Sequence, residues 1–279
     1  MNCWEKINLE KIIPFENDYL FKKWGINSIL MNNFIPYDFN STVPSDLSLK
    51  TILMIGRGDD KIKRLELGIE SMSYIIKVIP ECEMSVISQL EGITFLEQLT
   101  LKLKLKENIK FVGYYSNPEQ FYRNTSLHIF PTLAEAFPNV LSETLVFGIP
   151  SILVGLDYVS TAKGGTVIIY DDSPLSIAKI AIKILLNKSY RKQLGQAARN
   201  NIKKFRNNLL LNKWIKIILS IYKEDDYYKN LQKNFTINQV EALKILSNQV
   251  SLLKKRDKRL QNITIKDIEN YTYIENLNL

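Results

Sequence analysis

Glu135 and Glu143 stand with seven residues between them in the run Ala134-Glu135-Ala136-Phe137-Pro138-Asn139-Val140-Leu141-Ser142-Glu143. On one continuous helix two such acids fall about 80° apart, and by spacing alone they read as ordinary surface residues. Their setting argues for more. Leu127-His128-Ile129-Phe130-Pro131 is an apolar run short enough for a buried strand. From Asn139 the apolar positions recur at helical spacing until Gly148 and Pro150 stop them, and Pro138 suits a first helical turn. The intervening loop therefore lies at the carboxyl end of a strand, the edge where open α/β sheets bind ligands. Free N–H groups of a helix starting near Asn139 form an anion site there. Two carboxylates flanking a phosphate-binding turn suggest a sugar nucleotide as ligand.

A second cluster lies upstream, where a strand runs into Gly56-Arg57-Gly58-Asp59-Asp60-Lys61-Ile62-Lys63-Arg64. Gly56 permits tight backbone geometry. Arg57 offers a planar fork to phosphate oxygens, and Lys63 a point charge at the start of the next helix. The alternative reading is a set of solvated loop cations. The paired acids Asp59-Asp60, Asp171-Asp172 and Asp225-Asp226 have no metal-ligand spacing and read as caps and turns. His128 is the only histidine and lies within a strand pattern, which favours packing over catalysis.

The elements that must position these residues alternate from Thr51 to Tyr170 as strand-like and helical patterns, the signature of βαβ units and a parallel sheet. Strands are expected at Thr51–Gly56, Glu83–Ser88, Ile109–Val112, Leu127–Phe130, Ser151–Val154 and Thr166–Ile169. Helices are expected at about Arg64–Ile79, Ile93–Leu105, Pro118–Arg123 and Asn139–Phe147. Leu101-Lys102-Leu103-Lys104-Leu105-Lys106 alternates like a strand, but a strand there leaves two sheet segments almost abutting, so it is read as a helix end. Asp171-Asp172-Ser173-Pro174 caps a helix to about Leu186, and further helices follow near Ser189–Lys203 and Asn208–Tyr222. Residues 1–49 read as the remnant of a preceding domain and its crossover, residues 50–225 as the α/β body, and residues 226–279 as a helical tail. In that tail Val240, Leu243, Leu246, Val250, Leu253 and Leu260 are spaced mostly by three and four, as in a short coiled-coil seam.

The chain has 279 residues, 46% of them hydrophobic, enough for a real core. No apolar run reaches the roughly 18 residues of a membrane span, and the start lacks the pattern of a signal peptide. A cytoplasmic protein is expected. Cys3 and Cys82 are too few for a disulfide framework or a cysteine metal site; both are read as reduced thiols, Cys82 in a strand. The formal charge is +8, and from Lys229 onward nine basic residues face five acidic ones, so half the excess lies outside the α/β body. No nucleic-acid motif accompanies it, and nucleic-acid binding is not expected. The cluster Lys254–Arg259 reads as a solvated face, with weak contact to a membrane surface or a partner as the sharper alternative.

Gly56, Arg57 and Lys63 resemble the donor-binding domain of the retaining family 4 glycosyltransferases of GT-B fold, in which a strand ends in Gly-Arg, followed by a Lys and a helix. Three more pieces match in order. Asn108-Ile109-Lys110-Phe111-Val112-Gly113-Tyr114 looks like the strand and loop that receive the base, Pro131-Thr132 precedes the acidic loop, and Glu135 to Glu143 matches the family's E-x(7)-E signature. The resemblance runs from about Asp18 to Tyr222. It implies a Rossmann-like parallel sheet flanked by helices, one half of a GT-B fold, with a nucleotide diphosphate sugar as substrate and no cofactor or metal. Arg57 and Lys63 would neutralise the diphosphate, and Phe137, Asn139, Val140 and the N–H-less Pro138 would shape the turn that meets it. Glu143 would bind ribose hydroxyls and Glu135 would contact the donor sugar near its reacting carbon. Gly113, Tyr114, Thr132 and Ala136 complete the expected donor site, Ala136 standing where the family has Gly. Charge building on the departing nucleoside diphosphate is what oriented cations and amides stabilise. A GT-B enzyme also holds its acceptor with a second Rossmann-like domain, whose glycine-rich loop and histidine are missing from this sequence. A partner chain or homo-oligomer would supply that half, or the chain binds donor without transfer, as a binding or scaffold module.

Overall fold

The computed structural model describes residues 31–89, 93–115, 117–135, 137–156 and 159–222. Six strands form one sheet: β1 (Thr51–Ile55), β2 (Glu83–Ile87), β3 (Ile109–Gly113), β4 (Leu127–Phe130), β5 (Ser151–Val154) and β6 (Thr166–Ile169). Their order is β3-β2-β1-β4-β5-β6, and every pairing is parallel. Between and after them run α1 (Leu65–Ile75), α2 (Ile93–Lys102), α3 (Glu119–Arg123), α4 (Asn139–Val146), α5 (Pro174–Leu186), α6 (Lys188–Ile202) and α7 (Asn207–Tyr222). The chain thus winds outward from β1 in one direction and then from β4 in the other. This is the doubly wound Rossmann-like order, with its switch point between β1 and β4.

Each strand presents apolar side chains to both faces, as a parallel sheet covered on both sides requires. Ile52, Met54, Ile129, Ile152 and Val154 pack with Ile69 and Met72 of α1 and Ile177 and Ile184 of α5. Leu53, Phe130 and Leu153 pack on the other side with Leu141 and Leu145 of α4 and Ala198 and Ile202 of α6. Gly165, at φ +75°, lets α6 close on the sheet: a β-carbon there would lie 2.4 Å from the Ala198 α-carbon. The buried His128, with no exposed surface, sits on β4 facing α4 and β5. Its Nδ1 lies 3.2 Å from Ser151 Oγ and 3.4 Å from Thr144 Oγ1.

Element edges differ from the sequence expectation by a residue or two, with larger differences after α1 and α2. α1 ends at Ile75, short of the expected Ile79. α2 ends at Lys102, and Lys104 adopts a left-handed conformation at φ 58°. The Lys104 N–H then bonds the Leu101 carbonyl and the Leu105 N–H the Thr100 carbonyl, both at 3.0 Å. That two-bond closure of a helix end explains the alternating leucines of 101–106: Leu105 is drawn fully into the core by the turn, without a strand. Cys82 is a free, buried thiol, and it precedes β2 by one residue rather than lying in the strand.

Residues 31–49 form a strap of turns against α6 and α7. Asn207 closes a pair of bonds with the Ile35 backbone, accepting from its N–H at 2.9 Å and donating to its carbonyl at 2.6 Å. Arg199 donates to the carbonyls of Val146 and Phe39 at 2.6 and 3.1 Å. α7 buries Leu210 and Ile217 but leaves Leu211, Trp214, Ile215 and Ile218 exposed at the i, i+3, i+4, i+7 spacing of one helix face. The expected seam of Val240 to Leu260, the cluster Lys254–Arg259 and Cys3 lie outside the described residues. Among the described residues, no helix is long and apolar enough to cross a membrane, and no group of three or more acids, histidines or cysteines is placed to hold a metal.

Candidate active site

A cleft of about 330 Å³ opens at the carboxyl ends of β1, β2, β3 and β4, over the switch point. Its floor is made by the last residues of the strands: Ile55, Ile87 and Phe130. Its walls are the loops after β1 and β4. These two loops are pinned to each other at three consecutive residues. The Ile62 carbonyl accepts from the Leu133 N–H at 2.7 Å and from Thr132 Oγ1 at 3.2 Å. Lys63 Nζ meets Glu135 Oε1 in an ion pair. Arg64, left-handed at φ 49°, donates from Nε to the Pro131 carbonyl and from Nη1 to Asp172 Oδ2, each at 2.8 Å.

Gly56 lines the cleft where β1 ends, packed so tightly that a β-carbon would stand 3.3 Å from Leu65 Cδ2 and 3.4 Å from the Lys63 side chain. Arg57 lies at the rim with its guanidinium 2.6 Å from Asp60 Oδ2. Asp60 also accepts from the Ile62 N–H at 2.9 Å, the turn role expected of that acid pair. Lys63 does not begin the helix, because the left-handed Arg64 intervenes; its ammonium is directed across the loop to Glu135 instead. Both side chains of that pair are largely sequestered, 24% and 14% exposed, so neither is an ordinary solvated surface charge.

On the β4 side, Phe137, Pro138, Asn139 and Val140 line the cleft, and Ala136 lies outside the described residues. Pro138 is the residue before the helix, at φ −77° and ψ 100°, rather than its first turn. No side chain caps α4, and its first internal bond runs from the Ser142 N–H to the Pro138 carbonyl at 3.0 Å. The leading N–H groups of α4 therefore have no acceptor within the helix and carry its positive end. Asn33 of the strap donates to the Asn139 side chain at 3.0 Å, bringing residues 31–49 to the edge of the site.

Glu143 lies one turn beyond Asn139 and Val140 but is not among the residues lining the cleft. Its Oε2 accepts from the Tyr122 hydroxyl at 2.5 Å. Burial pushes the Glu143 carboxyl above its ordinary value, with the Tyr122 hydroxyl acting the other way. Thr132 braces the two loops, 1% exposed. Gly113 ends β3 at φ +75°, and Tyr114 beyond it lines the cleft, 71% exposed. The structure thus brings Gly56, Arg57, Lys63, Tyr114, Glu135, Phe137, Pro138, Asn139 and Val140 to one cleft, and sets Gly113, Thr132 and Glu143 behind it.

Sequence reasoning missed Ser88, Gln89, Tyr115 and Pro118, which also line the cleft. The signal for the first two was their place just past a strand, since every parallel strand around the switch point delivers its next residues to the same edge. Ser88 is 3% exposed and its hydroxyl has no hydrogen-bond partner among the described residues. Tyr115 is held edge-on to Phe121 of α3 at 5.3 Å.

The family model for glycosyl transferases group 1 matches residues 41–201, more than half the chain. The chain belongs to this family. Its α/β body is one half of a GT-B fold. It is 24% identical over 195 residues to the GalNAc-alpha-(1->4)-GalNAc-alpha-(1->3)-diNAcBac-PP-undecaprenol alpha-1,4-N-acetyl-D-galactosaminyltransferase of Campylobacter jejuni, a match covering 67% of this chain and 53% of that one. The curated relatives it matches are covered over 21% to 53% of their length. Among solved structures, the C-terminal domain of the group 1 glycosyl transferase LpcC from Francisella tularensis superimposes with a TM-score of 0.53 at 16% identity. That match covers 61% of this chain and 99% of that one. The Anabaena protein HepE, solved in complex with UDP and glucose, gives a TM-score of 0.58 at 15% identity, over 69% of this chain and 56% of that one. At these identities the two structures speak for the fold alone.

Proposed function

We propose that this glycosyl transferase domain binds a nucleotide diphosphate sugar in the cleft over the β1/β4 switch point and transfers its sugar to an acceptor, with retention of configuration and without a metal or cofactor. The observation that carries this reading is the facing of two complementary halves across one cleft. Arg57, Lys63 and the uncapped amino end of α4 supply positive charge and donors, while Glu135 supplies a carboxylate beside them. The diphosphate belongs against the α4 N–H groups, Arg57 and Lys63, where charge building on the leaving group meets oriented donors. The base lies against the β2 and β3 ends near Tyr114, the ribose hydroxyls near Glu143, and the reacting carbon near Glu135. The acceptor is held by a second domain that faces this cleft.

Isothermal titration of the full chain with UDP-glucose, UDP-N-acetylglucosamine, GDP-mannose and ADP-glucose tests it. Binding of at least one donor is expected, weakened by Glu143→Ala. No binding to any of them, or equal binding by the variant, refutes it.

A second reading, a donor-binding scaffold that works only in an assembly, is favoured by the exposed stripe Leu211, Trp214, Ile215 and Ile218 on α7. Equilibrium sedimentation is expected to show self-association that Trp214→Ser with Ile218→Ser abolishes. A monomer at every concentration counts against assembly through copies of this chain.

A further inference from the structure

Glu143, set behind the cleft, has a partner that the two glutamates' spacing does not reveal. Tyr122, the fourth residue of α3, is fully buried, and its hydroxyl donates to Glu143 Oε2 at 2.5 Å. Rings on two sides hold it there. Tyr37 of the strap meets it edge-on at 5.8 Å and 87°, and Phe147 just after α4 lies 5.0 Å away. Tyr37 in turn meets Phe147 edge-on at 5.0 Å, so the three rings close on one another. A phenol fixed on every side delivers its proton to one place, and the carboxylate it meets gives up one oxygen and much of its rotational freedom. Among the described residues, Glu143 Oε1 accepts no hydrogen bond. Glu143 stands one helical turn beyond Asn139 and Val140, which line the cleft, and so lies next behind its wall.

We propose that Tyr122 is a positioning residue of the donor site: by occupying Oε2 it orients Glu143 so that Oε1 is presented to the hydroxyl groups of a bound nucleoside diphosphate. The inference rests on the reading of the cleft as a donor site and adds to it the group that sets the carboxylate. Tyr122 itself touches no ligand. Burial, then the neighbouring Glu143 carboxylate, keeps its phenol well above the ordinary range, so it remains a donor at every working pH. Its bond favours the charged carboxylate against the burial that favours the neutral one. The titratable groups that face Glu143 are Tyr122 on α3 and Tyr37 on the strap, the latter raised to about 12 by burial and by Glu143 and Glu119. The charged groups of the cleft itself are Arg57, Lys63 and Glu135.

The test is isothermal titration of the full chain with UDP and with GDP as probes, from pH 5 to 8, on wild type, Tyr122→Phe, Glu143→Gln and the double variant. Tyr122→Phe keeps the ring and its packing and removes only the hydroxyl. It is expected to bind the accepted nucleotide about tenfold more weakly, the usual scale for a hydrogen bond to a charged group. It is also expected to move the acidic fall of binding to higher pH. In the Glu143→Gln background the same change is expected to cost nothing further, because the two residues act as one unit. Glu143→Asp, which withdraws the carboxylate from the phenol without touching the aromatic cage, is expected to reproduce the loss. Wild-type affinity in Tyr122→Phe, or an equal loss in both backgrounds with the acid limb unmoved, overturns the role of Tyr122 and leaves the donor reading intact. Failure of wild type to bind UDP, GDP or any of the four sugar nucleotides of the donor titration removes the donor reading and this role together.

Discussion

His128 ties the two halves of the site together through pH. It lies on β4, whose loop carries Glu135, and touches Thr144 of α4, the helix that carries Glu143. It is fully buried, its Nε2 has no hydrogen-bond partner among the described residues, and burial pushes its pKa down to about 3. In the unfolded chain an imidazole titrates near 6.5. The folded protein therefore stays neutral at His128 while the unfolded chain takes up a proton, and stability falls as pH drops through 6.5 toward 3. Worked from a folded value of about 3, the loss from pH 7 to pH 5 is about 2 kcal/mol, or about 4–8 °C of melting temperature in a chain of this size. Glu143 acts in the opposite sense, since its raised value gives stability that is lost as pH rises above the carboxylate's ordinary range. Only a comparison of variants separates the two. Thermal melts followed by circular dichroism at pH 5, 6 and 7 are expected to give a steep slope for wild type and a shallower one for His128→Gln. Parallel curves for the two proteins would refute the reasoning, because a histidine that protonates in place has no such linkage.

Four other substitutions follow from the same contacts. Glu143→Gln removes a contribution that opposes the rise of stability with pH and should make that rise steeper in the same melts; an unchanged slope places the titration elsewhere. Ser88→Ala deletes a buried hydroxyl without a partner and should leave the melting temperature unchanged or raise it, by up to about 1 kcal/mol of stability, whereas a loss shows that the hydroxyl is bonded. Gly165→Ala should cost about 3 kcal/mol in urea unfolding, since it combines a left-handed residue with a β-carbon inside the van der Waals radius of the α6 backbone. Glu135→Gln frees Lys63 for a diphosphate and should tighten UDP binding about threefold in calorimetry while abolishing transfer; weaker binding means that the carboxylate itself holds the nucleotide.

The sheet was legible because a strand buried on both faces is largely apolar, whichever way its side chains point. Thr51–Ile55, Leu127–Phe130 and Ser151–Val154 are such runs, bounded by glycine, proline or a charged turn. The stretch Leu101–Lys106 was harder, since a left-handed lysine ending a helix produces the same alternation as a strand. Lys63 was recognisable as a cation of the site, but its pairing with Glu135 depends on the Leu133 N–H reaching the Ile62 carbonyl, a contact between loops about 70 residues apart in sequence. Tyr122 carried no pattern at all: one of two adjacent aromatics in a five-residue helix becomes meaningful only once the fold sets its hydroxyl against Glu143.

The two glutamates that share one spacing are physically different groups. Glu135 sits on a loop whose path is set by backbone bonds to the neighbouring loop, and its partner is a flexible ammonium drawn from that loop. Glu143 sits on a helix, with a neutral donor on one oxygen that is itself fixed between two rings. An anion entering the cleft competes directly for Lys63 and so alters the surroundings of Glu135 at once. It leaves Glu143 where Tyr122 holds it. One carboxylate is therefore built to change partners and the other to stay put, a division that the proposed donor site would use to hold a nucleoside while the bond to its sugar breaks.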